Sequence, residues 1–545
     1  MKQRKLVVLL LFLFAAGLAF GGGSQEGAAS GGGQAQGAQE QGDAQDDRYG
    51  GVIVFARSGD SVGLDPARET DGESFYGTTQ IYDTLVEFVP GTTEIRPALA
   101  ESWEVSDDGL TYTFQLREGV QFHDGTDFDA EAAKFSFERQ FNEDHPYYQY
   151  GPWKYWGYMD MSSIVESINV VDEYTLEFQL QKNEAPFIAN LAMDFASIVS
   201  PAAVREYEGD FTSNPVGTGP FKFVSWTKDD SIVLERNEDY WRRPAYADRL
   251  VLRVIPDATA RYLALQNGEV DVVDFPSPED LADMQADPDI KVLQQEGLNV
   301  GYLAMNAEKE PFGDPRVRRA LNYAVDKSAI IRAVYGEAGV PAKNPIPPTM
   351  WSYNDEIDPY PYDPQRAQEL LAEAGYPDGF ETDIWAMPVA RPYNPDGRTV
   401  AEVIQAQWAE VGVQAEIVSY DWGTYLDRTD NGEHETALLG WTGDNGDPDN
   451  FLWVLLSIPA AEKPAGNISF WRNEEFNSLI KEAKETLDPE RRADLYEQAQ
   501  VIFHEDAPWV PIAHSIVSVP MANYVQDFVI YPTGKRIFHN VWLDN

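Results

Sequence analysis

One stretch of the sequence matches the nucleophile-elbow pattern G-x-S-x-G: Gly59, Asp60, Ser61, Val62 and Gly63. In an elbow the serine sits on a sharp turn between a strand and a helix, which exposes its hydroxyl. The apolar run 52–56 supplies the strand, but Leu64, Asp65, Pro66, Ala67 and Arg68 read as a loop broken by proline. Two readings follow: a secreted serine hydrolase using Ser61, or a glycine-rich loop at a strand end, where backbone groups commonly meet a ligand. The missing helix favours the second. Metal chemistry has little to stand on. The six histidines, His123, His145, His434, His504, His514 and His539, fall in no HExxH or other paired-ligand spacing. Segment 444–449, DNGDPD, has the acidity of a calcium loop. An EF-hand beginning at Asp444 needs Gly and Glu where Asp449 and Leu455 stand, so only a looser calcium loop is left. With 90 acidic residues, coincidental carboxylate pairs are guaranteed, and nothing selects one pair for glycoside hydrolysis. The chain has no Cys, which excludes disulfides, thiolate metal sites and cysteine nucleophiles. Neither a Walker loop nor a dinucleotide fingerprint is present. No metal or cofactor is implied, and ligand binding without chemistry is the natural class.

Charge narrows the ligands. The 41 basic and 90 acidic residues leave a net charge of −49. Nucleic acid and anionic lipid both need a basic surface, so neither is expected as a partner. Most of the carboxylates read as a solvated face, suited to salty water where self-repulsion is screened. At 43% hydrophobic and 12% aromatic residues, the chain can bury large cores. Its 545 residues are roughly three or four domains' worth.

The N-terminus reads as an export signal. Lys2, Arg4 and Lys5 precede an apolar run, 6–20, closed by Gly17, Ala19 and Gly21. That is the layout of a cleavable signal peptide over 1–21, too short for the roughly 20 residues that span a membrane. A lipoprotein signal needs a Cys, so a freely diffusing periplasmic protein is expected. Segment 22–47, rich in Gly, Ala, Gln and Ser, reads as a disordered linker.

The elements that must position a site alternate along the rest. Segment 103–105 and segment 110–116 read as a hairpin, with Leu110, Tyr112, Phe114 and Leu116 on one face, and Tyr174, Leu176, Phe178 and Leu180 repeat the alternation. Asp129 caps a helix with Ala133, Phe137 and Phe141 on one stripe. Asp314–Pro315 and Asp363–Pro364 are caps followed by Pro at the first helical position, and Gly375 stops the second of these helices. A further helix ends near 408–412 and a strand follows at 413–418. Strands alternating with helices predict an α/β chain. No repeat of fixed period and no Gly/Ser linker divides it.

Longer motifs carry a resemblance. ALAESWEV at 98–105 with the following stretch to Thr126, NPVGTGPF at 214–221, NEDYW at 237–241, DPRVRRA at 314–320 and YDP at 362–364 occur in the order found in the peptide-type (family 5) solute-binding proteins of ABC importers. The resemblance covers essentially all of 50–545. Segments 385–395, WAMPVARPYNP, and 440–451, GWTGDNGDPDNF, resemble the dipeptide-binding members in particular. It implies a periplasmic-binding-protein type II fold: two lobes, an additional inserted domain and a hinge. Lobe I would be 48–80, 205–298 and 515–545, the insert 81–204 and lobe II 299–514. It also implies that Arg391 holds a peptide carboxylate and Asp444 a peptide ammonium, with Tyr393, Trp441, Thr442 and Gly443 lining the site and the loop at Ser58 and Gly59 adding contacts. A membrane permease with its ATPases is the implied partner, and a monomer the implied state. Glutathione, haem or a short oligopeptide are the alternative ligands. One departure stands out: dipeptide-binding members carry a cysteine pair where Ile458 and Arg472 stand here, which predicts a looser loop between them.

The charge logic supports the resemblance. A guanidinium fork suits a carboxylate, and an Asp suits an ammonium. Two anchors of opposite sign in a closing cleft measure the length of a zwitterion, because a longer chain leaves one terminus unpaired.

Overall fold

In the computed structural model, which describes residues 46–544, strands and helices alternate as the patterning predicts. The expected signal peptide and nearly all of the expected linker lie outside the described residues. From Asp47 on, the chain forms one compact unit.

The largest element is a twelve-stranded mixed sheet. From one edge its order is Gln414–Val418, Glu381–Trp385, Thr436–Thr442, Asn299–Met305, Trp509–Ala522, Val272–Val273, Val52–Arg57, Arg249–Val254, Ser231–Arg236 and Phe221–Thr227. Ile290–Glu296 and Gly339–Pro341 also pair with Trp509–Ala522. That fourteen-residue strand joins two halves. Residues from Trp509 to Ala513 pair with Asn299–Met305, whereas Ile516 to Ala522 pair with Ile290–Glu296. The chain crosses between the halves a second time at Gly297. A Cβ there would stand 1.9 Å from Asn299 Nδ2 and 2.4 Å from Ser515 O, so only glycine lets the two crossings touch.

A separate antiparallel sheet has the order Ala100–Val105, Thr111–Leu116, Thr175–Leu180, Val165–Asp172. Its alternation is the expected one: Tyr112, Phe114, Leu116, Leu176, Phe178 and Leu180 are buried. The helix Ala130–Phe141 packs on this sheet, its first turn held by Asp129 Oδ1, which accepts from Ala132 N at 2.8 Å. Asp314 and Asp363 cap Pro315–Tyr323 and Pro364–Glu373 in the same way.

Two large apolar cores result among the described residues. One surrounds Ile53, Phe55, Leu250, Leu252 and Val519; the other runs from the four-stranded sheet into Tyr302, Trp408 and Trp509. The segment between Ile458 and Arg472, where a looser loop is expected, is fastened by Asn467, whose side chain donates to Ser457 O and Trp471 O at 3.2 and 3.0 Å. Arg472 reaches back to Ala461 O at 3.2 Å.

Candidate functional site

Arg391 and Asp444 line the same cavity, of about 150 Å³, on the side of the main sheet where strand Thr436–Thr442 ends. At roughly 10–15 Å³ per water, that volume admits on the order of ten water-sized groups, about the backbone of a dipeptide.

Local hydrogen bonds fix Arg391. Its N–H donates to Asn394 O and the Asn394 N–H donates back to Arg391 O, both at 3.0 Å, which closes a tight turn over RPYN. Pro392 O accepts from Ser515 Oγ at 2.6 Å, and Tyr393 O accepts from Tyr335 Oη at 2.6 Å. The Tyr393 ring lies against Gly440, where a Cβ would fall 2.2 Å from the ring. The Arg391 guanidinium is 5% exposed with its residue. Its Nη1 donates to Glu73 Oε1 at 3.1 Å and to Ala390 O at 2.9 Å, while Nη2 is buried and has no partner. Burial lowers its pKa, but Glu73, together with Tyr393, Tyr76 and Asp71, opposes burial and the net direction is upward from a free guanidinium. Burial pushes the Glu73 carboxyl up, opposed by Arg391, Arg57 and the Ser58 hydroxyl.

Asp444 is set differently. Past the strand end, Gly443 N donates to Leu298 O at 2.7 Å, and Asp444 N donates to Asn450 Oδ1 at 2.8 Å. The same Asn450 oxygen accepts from Trp441 Nε1 at 2.8 Å. Asp444 Oδ2 accepts from Tyr155 Oη at 2.7 Å. Burial pushes its carboxyl up to about 7; Tyr155 opposes the rise, nearby Asp194 adds to it, and Asn450 and Lys535 oppose it.

The other charges on the wall are already matched. Asp194 pairs with Lys535 at 2.9 Å, Asp430 with Lys154 at 2.8 Å and Arg536 with Asp274 at 2.9 Å. Asp71 caps the helix Gly72–Ile81 and accepts from Glu73 N, Ser74 N and Ser74 Oγ. Among the described residues, Asp444 has no cationic partner within ion-pair distance. The cavity therefore holds one carboxylate awaiting a cation and one guanidinium nitrogen awaiting an acceptor.

The family assignment rests on the sequence as a whole. The family model described as bacterial extracellular solute-binding proteins, family 5 Middle, matches residues 94–462, over half of the chain. The chain belongs to that family. This solute-binding protein is 46% identical over 511 residues to the dipeptide-binding protein of Escherichia coli K12, covering 90% of this chain and 95% of the relative. It is 47% identical over 511 residues to heme-binding protein A of Haemophilus influenzae, covering 90% and 92%. Among solved structures it matches the ABC transporter-associated periplasmic binding protein DppA from Helicobacter pylori in complex with peptide STSA. That match has a TM-score of 0.88 at 44% identity, and covers 91% of this chain and 99% of the other. The fold is thus the mixed α/β, two-lobed type II fold with an inserted domain. Family 5 proteins bind peptides and work with ABC transporter components. Among the described residues, no helix is long and apolar enough to cross a membrane.

Of the residues the sequence singled out, Tyr393, Trp441 and Thr442 line the cavity with the two anchors. Gly443 does not; it seats the chain, and a Cβ there would meet the Phe451 ring at 2.6 Å. Ser58 and Gly59 also fall outside the lining. Ser58 Oγ donates to Glu73 Oε1 at 2.8 Å, so it steadies the partner of Arg391. Ser61 is no elbow serine. It is fully buried, its Oγ donates to Glu73 O and accepts from Arg57 Nη1, and irregular backbone leads from it to the helix at Gly72. The carboxylates of the candidate calcium loop diverge: Asp447 pairs with Arg492 at 2.8 Å, Asp449 lies 3.8 Å from Lys484, and Asp444 faces Tyr155. Sequence reasoning missed Glu73, Tyr155, Asp194, Trp422 and Thr533. Glu73 stands 318 residues from Arg391 and Tyr155 289 from Asp444. Only the aromatic density of KYWGY at 154–158 hinted at a wall.

Proposed function

We propose that this protein captures dipeptides in the periplasm and delivers them to the permease and ATPases of an ABC importer. Arg391 holds the carboxylate and Asp444 the ammonium. One observation carries the reading: two buried groups of opposite sign, a partnerless guanidinium nitrogen and a carboxylate with no cation, share one cavity of peptide-backbone size. The other charged groups on that wall support it, being ion-paired or, for Asp71, held by helix-cap hydrogen bonds. So do relatives whose names specify dipeptides. The proposed lobes are 48–80 with 205–298 and 515–545, and 299–514, with 81–204 inserted. The change of strand partner around Ser515 and the crossing at Gly297 favour those borders. Closure is selected by a ligand that satisfies both ends at once. We further propose export by the signal peptide 1–21, a monomeric state and no catalytic step.

Calorimetry on the mature protein tests the reading. A free dipeptide such as Ala-Leu is expected to bind tightly and N-acetyl-Ala-Leu at least a hundredfold more weakly, because acetylation removes the cation that Asp444 requires. Equal affinity for the two would overturn the assignment of Asp444. Saturable binding of haem, glutathione or a pentapeptide in place of the dipeptide would move the protein to a different ligand.

A further inference from the structure

Arg391 does not have its whole fork to offer. Nη1 is committed to Glu73 Oε1 and Ala390 O, and Nη2 is the nitrogen left buried without a partner. The paired grip of a guanidinium on a carboxylate uses two nitrogens along one edge. Here the Nη1–Nη2 edge is half committed. A carboxylate has two acceptor oxygens, and one drawn out of water needs donors on both.

A second donor stands beside it. Trp422 opens the helix Trp422–Asp430 and lines the same cavity. Its indole carries the Arg391 guanidinium carbon 5.3 Å from the ring centroid. From the other direction it stacks on Tyr425, with centroids 5.9 Å apart and an angle of 19° between planes. The ring is held from two directions, yet its Nε1–H is buried and has no partner. An indole nitrogen can only donate. Thr533 Oγ1, a third buried and partnerless group on this cavity, can donate or accept and so expresses no such preference.

We propose that Trp422 Nε1 is the second donor to the ligand's C-terminal carboxylate, completing the grip that Arg391 makes only in part. This rests on the reading in which Arg391 holds that carboxylate. The consequence is a specificity for hydrogen-bond pattern as well as for charge. Both ligand oxygens must accept, so a peptide amide, whose NH2 donates, sets N–H against N–H. Trp422 is then the residue that tells a free peptide end from an amidated one.

Trp422→Phe keeps an aromatic ring beside Arg391 and Tyr425 and removes the N–H donor together with the smaller ring that bears it. By calorimetry, Ala-Leu is expected to bind about tenfold more weakly to the variant, as for loss of a hydrogen bond to a charged group. Ala-Leu-amide should change less than about twofold, so the preference for acid over amide shrinks about tenfold. An unchanged preference in a folded variant overturns the proposal. If the variant does not fold, the wild-type protein decides: one indole N–H proton signal moves far downfield at saturation with Ala-Leu, and absence of any such shift overturns the proposal. The parent reading fails separately. In that case wild-type protein ignores Ala-Leu, or Arg391→Ala binds it as well as wild type does.

Discussion

The two ends of the cavity solve the same problem in opposite ways. At the Arg391 end the protein supplies the counter-charge: Glu73 is fully buried and bonded to Nη1, and Ser58 and Arg57 stand around it. At the Asp444 end no cation stands within ion-pair distance among the described residues, and a tyrosine hydroxyl donates to the carboxylate. At the first end an ion pair opposes the rise that burial imposes on the Glu73 carboxyl, whereas at the second end the buried carboxylate has no cation within ion-pair distance and burial favours its protonated form. The first end is therefore part of the structure before ligand arrives. The second becomes charged at neutral pH only with difficulty, and an arriving ammonium relieves it. Stability should reside at one end and proton-linked binding at the other.

Removing Arg391 should give the largest effect, because it affects both properties. Arg391→Ala leaves Glu73 buried with Arg57 at 3.9 Å as its remaining cation. Breaking such a pair is expected to cost about 3 kcal/mol of stability in urea denaturation, together with loss of measurable dipeptide binding. Equal stability of variant and parent would mean that the two ends do not differ as described.

Asp444→Asn is expected to weaken dipeptide binding by roughly 2–5 kcal/mol, through stranding the ligand's ammonium. Its effect on stability should have the opposite sign. In the folded protein burial holds the Asp444 pKa at about 7, above the 3.8 of an ordinary aspartate. This group's contribution is thus fully favourable below about pH 4 and is lost as pH rises through about 7. At pH 8 the Asn variant without ligand should melt higher than the parent, by roughly 2 °C, and at pH 4 the difference should vanish. Scanning calorimetry at the two pH values checks both signs.

The pH profile of affinity sharpens the contrast. Below about pH 7 the empty site holds a protonated Asp444, and binding must expel that proton. The dissociation constant for a dipeptide should therefore rise by up to about tenfold per unit of pH on descending from 7. Above about pH 8 the ligand's own amino group loses its proton, so affinity peaks between these values. With Asp444→Asn the acid limb should disappear. A flat profile between pH 5 and 7 in the parent would place the ammonium elsewhere.

The smallest effect belongs to the tyrosine. Tyr155→Phe removes the donor that opposes the rise of the Asp444 pKa, so the acid limb should move to higher pH, with a loss of about 1 kcal/mol in binding at pH 7. A shift to lower pH would reverse the assigned role of the hydroxyl.

Much of this was legible before any fold was known, but unevenly. Alternation gave the hairpin built on Tyr112, Phe114 and Leu116, and Asp–Pro pairs gave helix starts at Pro315 and Pro364, because both signals are local. Arg391 and Asp444 were legible because each sits in a long motif shared with relatives. Glu73, Tyr155 and Trp422 were not. Each lies at or near the start of a helix, in a context any helix could have, and its meaning comes from a partner that the fold delivers from far along the chain. The loop at Ser58 and Gly59 illustrates the middle case. The sequence pointed to the right neighbourhood, but the serine steadies Glu73 and does not line the cavity.

The long strand Trp509–Ala522 carries the junction between the two halves of the sheet. Its Ser515 sits where the pairing partner changes, holds Pro392 O through its hydroxyl and accepts from Gly297 N through its carbonyl. One residue of that strand thus ties together the two crossings between the halves and the turn that carries Arg391, since Pro392 is the residue next to it; a Ser515→Ala variant, which cuts the tie to Pro392 and leaves the crossing intact, is the substitution that separates the two.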